Sequence, residues 1–456
     1  MIYILLFLLI IIILKIYILN GRNILSVSLV YTSMFILSSL IVSFSIDYFQ
    51  VDISFYTIIV IIASIFFLFG GEIVANTVML NKCQYSTFIL YKHEKKYPPI
   101  KISNNILLFI CLFMFVITLF NLYNTYKISL VIGNPENIFD VFRYARRYII
   151  SNQYQQDSSI ILGQLTVFSN VLAYYSLYVY LYNKILAEYN RKRYLIPVFI
   201  HLVRLMSLTG RNSYIRFITL FCIYLFIFIK ERVAWSNRKD IKILKTSILS
   251  LVFFIIFFRM FGNLTGSGGM TDFWENITIY LGSSIIGLDI YLESNDVGSI
   301  IFGQYTLINV YAFLRKFAID IPLYRSFNEF FTWPNGSSNI YTSLMRFIQD
   351  YTIWGMFFIQ FWIGYFYTRY LQKIRFKRIG KSSFVSITIL GIMFYPIVMA
   401  SIENVFSTIL SMSFVYHIVY LLLIDYVFKR KFTINKSQIQ VYKVLDDKSD
   451  KSNVYD

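Results

Sequence analysis

Apolar runs of roughly 16 to 24 residues recur along almost the whole chain, and that is the length a helix needs to cross a bilayer. In lipid every backbone polar group must find its partner within the protein, so such runs fold as helices packed side by side. They fall at about 2–19, 25–45, 56–79, 104–123, 159–183, 194–209, 213–229, 243–261, 351–370, 383–400 and 405–424. The reading is an all-α polytopic membrane protein with about 11 transmembrane helices. Only 14% of the residues are charged, against about 25% in a soluble domain.

The basic residues give the orientation. Roughly 29 of the 42 Lys and Arg fall in the loops around 80–103, 184–193, 230–245 and 369–381, with Arg22 and the C-terminal tail. That side is expected to be cytoplasmic, which puts the N-terminus outside and the C-terminus inside. The net charge of +18 is then a topology signal, and no nucleic-acid partner is expected. The first run lacks a basic n-region and a small-residue cleavage site, so it reads as a retained helix. Residues 1–431 read as one membrane domain with outward loops at about 124–158 and 262–350, and 432–456 as a mobile cytoplasmic tail. No internal repeat of the kind that builds transporters is visible.

The 3 cysteines build no disulfide framework. CxxC, HExxH, P-loop and GxGxxG spacings are missing from the sequence. Neither a protein-built metal site, nor a cofactor, nor ATP-driven chemistry is therefore expected.

One subset of arginines breaks the charge rule. Arg143, Arg146, Arg147, Arg211, Arg259, Arg315 and Arg346 all fall on the side that should be poor in positive charge. A guanidinium holds phosphate or carboxylate bidentately and stays charged at any relevant pH. An outward set of them points to an anionic substrate handled at the outer leaflet.

Three segments concentrate the candidates. In the first outward loop Arg143, Arg146 and Arg147 stand at i, i+3 and i+4, one face of an amphipathic helix, with Asp140 placed to pair with Arg143. The alternative there is a helix lying against lipid headgroups. In the second, Thr209-Gly210-Arg211-Asn212 forms the apex of a hairpin, with His201 and Arg204 on one arm and Arg216 on the other. Charges at that depth should face the bundle interior or a water-filled cavity. In the third, Ser338 or Asn339 is placed to cap a helix with Thr342 in its first turn, and Arg346 and Asp350 stand at i, i+4. The large loop adds the glycine-rich GNLTGSGGM stretch and Asp272, Glu275, Asp289, Arg315, Asp320 and Arg325, and Glu403 sits in the outward turn SIEN. Glu72, Lys15, His417 and Asp425 read as helix–helix pairs or snorkelling groups.

The hairpin LMSLTGRNSYIRFITL and the segment SSNIYTSLMRFIQDYTIWGMFFIQFWIGYF resemble the Wzy-type O-antigen and capsule oligosaccharide repeat-unit polymerases. Asn339, Tyr341, Thr342, Asp350 and Gly355 occupy the places of the family's Asn-x-Tyr-Thr run and of the helix opened by Asp, an aromatic and Gly. The resemblance implies a GT-C-like membrane glycosyltransferase architecture in the bacterial inner membrane. It implies transfer of a growing glycan from undecaprenyl pyrophosphate to an incoming lipid-linked unit, with a flippase and a chain-length regulator as candidate partners besides membrane lipid. Arg143, Arg146, Arg147, Arg211 and Arg346 would hold pyrophosphate, with Arg204 or Arg259 in support and Asn339 and Tyr341 near the glycan. Asp350, Glu403 or His201 would be the base, and the transfer would be metal-independent. A ligase, a flippase and a non-enzymatic scaffold stay open as alternatives. No histidine falls in the large outward loop, where ligases of this kind carry one, which favours the polymerase.

Overall fold

Helices follow the apolar runs closely. The computed structural model describes residues 1–80, 97–151, 160–208, 210, 212–235, 273–294, 299, 301–317, 319, 321, 329–376, 379 and 383–428. Among them, six helices are long and apolar enough to cross a membrane. They are α1 (Ile2–Leu19), α2 (Val27–Phe44), α3 (Phe55–Leu80), α4 (Asn104–Leu130), α6 (Ile160–Ile185) and α8 (Asn212–Arg232). Between α4 and α6 lies α5 (Ile138–Ser151), packed on α4, and between α6 and α8 lies α7 (Ile196–Met206). Further along come α9 (Ser283–Glu293), α10 (Ile308–Leu314), α11 (Ser343–Phe376), α12 (Phe384–Met399) and α13 (Met412–Phe428). The chain is a multi-pass helical membrane protein by helix length and hydropathy.

Several expected boundaries move. The run at 194–209 forms only the 11-residue α7, begun by a proline in its first turn and ended by the turn at Ser207 and Leu208. At 1.5 Å per residue that is about half a bilayer. The expected span at 405–424 begins at Met412, after a 3-10 turn at Phe406–Leu410. The helix expected to be capped by Ser338 or Asn339 starts at Ser343, because Ser338 ends a two-stranded hairpin, β1 (Phe331–Trp333) with β2 (Gly336–Ser338). The expected span at 243–261, the GNLTGSGGM stretch, Asp272, Asp320, Arg325 and the tail lie outside the described residues.

Packing is closest between α3 and α11. A Cβ on Gly364 would stand 2.0 Å from the Leu68 backbone oxygen, and one on Gly71 would stand 1.9 Å from that of Phe361. Only glycine allows two backbones to meet there. On α6 the ring of Tyr178 meets Phe228 at 5.2 Å and Phe384 at 5.3 Å, which ties α6 to α8 and α12.

The acids inside the bundle are saturated by donors. Asp289 accepts from Ser54 N at 2.9 Å, Ser54 Oγ at 2.6 Å and Thr57 Oγ1 at 2.6 Å, so it closes the start of α3. Glu275 accepts from the Tyr48 hydroxyl. At the opposite end Glu72 takes Asn20, Ser26 and Ser28, as expected for a helix–helix pair. Glu231 takes Tyr97, Trp235 and the Ile379 amide.

Gly364→Ala is expected to destabilise the chain by about 1–3 kcal/mol through overpacking. Gly163→Ala, where a Cβ meets nothing within 4 Å, should be neutral. Thermal unfolding in detergent distinguishes the two, and an unshifted Gly364→Ala midpoint would refute the close contact.

Candidate functional site

The turns between helices at one end of the bundle bring together side chains from α5, α8, α11, the 278–282 segment and the turn before α13. The centre is Arg346. It lies four residues into α11, is 7% exposed, and its guanidinium stands 3.9 Å above the ring of Tyr305. Nη1 donates to Gln349 Oε1 at 2.7 Å, while Nη2 is buried with no hydrogen-bond acceptor among the described residues. Burial pulls its pKa down from the usual arginine value, and the Tyr305 ring and Asp350 charge work against that pull.

Asp350 does not spend its carboxylate on Arg346. It accepts the backbone N–H of Tyr305 at 3.2 and 3.1 Å and that of Thr306 at 2.7 Å. It thereby anchors the turn that lays Tyr305 over Arg346. That turn needs Gly303 at φ +67, and Thr306 Oγ1 lies 2.5 Å from the Tyr351 hydroxyl. Directly after Asp350 and Tyr351 the helix breaks at Thr352 (φ 62, ψ 177), a backbone region unfavourable for a β-branched residue. The 343–351 segment is therefore a half-helix set at its own angle. As a base, Asp350 would first have to release two backbone donors.

Glu403 has a different environment. One carboxylate oxygen, Oε2, accepts from Asn212 Nδ2 at 3.2 Å, and Asn212 Oδ1 in turn accepts from the Tyr280 hydroxyl at 3.2 Å. Arg346 is close enough to act on it electrostatically. Tyr395, buried beside this group, has a hydroxyl with no hydrogen-bond partner, and Arg216 lies 5.0 Å over its ring.

The three arginines of α5 point to different places. Arg143 pairs with Asp140, as its spacing predicts. Arg147 is exposed. Arg146 is half-buried, and Tyr280 acts on it electrostatically. Phe142 and Ala145 face the protein, and Ile138 and Phe139 are exposed.

A second centre lies deeper. Arg204 is fully buried and its Nη2 meets Asn170 Oδ1 and, at 3.1 Å, His201 Nδ1. No hydrogen bond links this pair to Arg346 or Glu403. Tyr341, expected near the glycan, is 7% exposed, stacks edge-on against Phe331 at 4.9 Å and donates to the Glu329 carbonyl. Asn339 is half-buried beside it in sequence, and Arg315 is exposed. Arg211 and Arg259 lie outside the described residues. Sequence reading did not single out Tyr280, Tyr305, Tyr395, Asn212 or Asn170. With 38 tyrosines in the chain, neither spacing nor rarity marks these, and Asn212 was visible only as the neighbour of Arg211.

No protein-family model, no curated protein and no solved structure matches this chain. Among the described residues, no three of His, Cys, Asp and Glu come together as metal ligands. What the arrangement offers chemically is a buried guanidinium with one unfilled nitrogen, in electrostatic reach of one half-buried carboxylate.

Burial raises the Glu403 carboxyl above its ordinary range, while the Asn212 amide and the Arg346 charge draw it back. A carboxyl with a raised folded pKa loses stability as pH climbs from the unfolded value through the folded one, and the loss is constant above that. Glu403→Gln should therefore raise the unfolding midpoint at about pH 8, with the advantage shrinking as pH falls into the ordinary carboxylate range. Equal midpoints at every pH would place this carboxylate in water.

Proposed function

We propose that the chain is a membrane glycosyltransferase that polymerises undecaprenyl-pyrophosphate-linked oligosaccharide repeat units. The product would be an O-antigen or capsular polysaccharide, made at the outer face of the bacterial inner membrane. The observation behind this reading is the Arg346 guanidinium, held by Tyr305 and Gln349 with one nitrogen unfilled, next to Glu403. The resemblance of the hairpin and of the 338–366 segment to Wzy-type polymerases supports the same reading.

The chemistry needs two things from the protein. In the transfer, an acceptor hydroxyl oxygen bonds to the anomeric carbon of the donor glycan as the bond from that carbon to the pyrophosphate oxygen breaks. The electron pair leaves with the pyrophosphate, and the hydroxyl proton goes to a base. Arg346, with Arg146 on the Tyr280 side, would stabilise the departing charge, which positioned cations do best where water is excluded. Glu403 is the better base of the two candidate carboxylates, because its Oε1 is not committed to backbone donors and its burial favours the protonated form. Asp350 then acts by positioning Tyr305. A ligase or flippase for the same lipid-linked sugars would use a similar cationic cleft and differs in the glycan that accumulates.

Surface glycan from cells lacking this chain should collapse from a ladder to a single repeat unit. Arg346→Ala and Glu403→Gln should each fail to restore the ladder, at a cost of about 100-fold or more in polymerisation rate. Arg147→Ala, on an exposed side chain, should restore it. A normal ladder with Arg346→Ala would refute the site. Lipid-linked polymer accumulating without transfer would make the protein a ligase, and inward-facing single units would make it a flippase.

A further inference from the structure

The deeper centre has a charge imbalance that the polymerase reading does not use. Arg204 is 0% exposed and His201 is 1% exposed. Arg204 Nε and Nη1, His201 Nε2 and Arg216 Nε are all buried, and none finds a hydrogen-bond partner among the described residues. The two arginines sit on neighbouring helices, α7 and α8, and both bear electrostatically on the same two rings, Tyr174 and His417. Aromatic groups pack around them: His201 lies 4.9 Å from Phe217 and 5.8 Å from Tyr174, and Tyr174 stacks on His417 at 6.4 Å.

Among the described residues, no carboxylate forms an ion pair with Arg204 or Arg216. The groups on Arg204 are the Asn170 amide oxygen and the His201 ring, both neutral acceptors. Glu403, the nearest candidate on the Arg216 side, is coupled to Arg346. A guanidinium cannot shed its proton to escape burial, and a buried charge is tolerated only when paired. Two of them acting on the same two rings repel each other, and an anion between them would relieve that repulsion.

We propose that Arg204, Arg216 and His201 form a binding site for a small inorganic anion of the halide class, separate from the diphosphate cleft at Arg346. Size and hydration select the class. The surroundings are aromatic rings, and Arg204 and His201 are closed to solvent. A monovalent halide loses its water at far less cost than a phosphate, and a few N–H donors satisfy it. The neutral imidazole supplies its Nε2–H while Nδ1 accepts from Arg204. The bound anion would hold α7 against α8, and with it Asn212 at the start of α8 beside Glu403.

The test uses the purified full chain in detergent, with thermal unfolding followed in sodium chloride and in sodium gluconate at matched ionic strength. The midpoint should rise with chloride in the logarithmic manner of linked binding, and bromide should substitute for chloride. Arg204→Gln and Arg216→Gln should each weaken the chloride dependence by about tenfold or more in apparent affinity, whereas Arg346→Ala should leave it intact. If Arg204→Gln does not fold, Arg216→Gln on its half-buried side chain supplies the same reading. Identical midpoints in chloride and gluconate would overturn the proposal. So would a chloride effect that survives both Gln variants, or one lost with Arg346→Ala, which would assign it to the outer cleft. None of these outcomes depends on whether the protein polymerises glycan.

Discussion

A polar group inside an apolar bundle has only the bundle to satisfy it, and this protein treats its two signs of charge differently. The buried acids Asp289, Glu72, Glu231 and Asp350 each accept several hydrogen bonds from hydroxyls, amides or backbone N–H groups. The arginines are less fully met: among the described residues, Arg204, Arg216 and Arg346 each keep a buried guanidinium nitrogen without an acceptor. Acids that are saturated serve as structural joints.

Asp350 shows how a joint and a site share one residue pair. Its carboxylate captures the amides of Tyr305 and Thr306, and Tyr305 in turn covers Arg346. The break at Thr352 separates this half-helix from the long apolar remainder of α11, so the cleft side can take its own direction. The remainder is fixed independently, by the glycine contacts of Gly71 and Gly364 with the facing backbones. One helix therefore holds a rigid packing seam and a separately aimed functional segment.

The outward arginines show how far spacing reaches. The i, i+3, i+4 pattern correctly placed Arg143, Arg146 and Arg147 on one helix and paired Arg143 with Asp140. It could not separate a side chain half-buried towards Tyr280 from one left in solvent, because that depends on what α5 packs against. The same limit applies to Arg346 and Asp350. Their i, i+4 spacing suits an ion pair, yet the backbone of a turn some 45 residues away in sequence competes for the carboxylate and wins with three bonds.

By itself, the sequence determined the class of the protein and most of its helices, because the length of an apolar run answers directly to the thickness of a bilayer. It also marked Arg346, Arg204, His201 and Glu403 as charges out of place, since polar groups in an apolar run stand out against their background. Only the tertiary structure decided which of these groups meet. Tyr305, Tyr280, Asn212 and Tyr395 come from distant parts of the chain and carry no periodic signal. Whether a charge is paired, capped or left unfilled depends on hydrogen bonds between segments, and those distances exist only once the helices have packed.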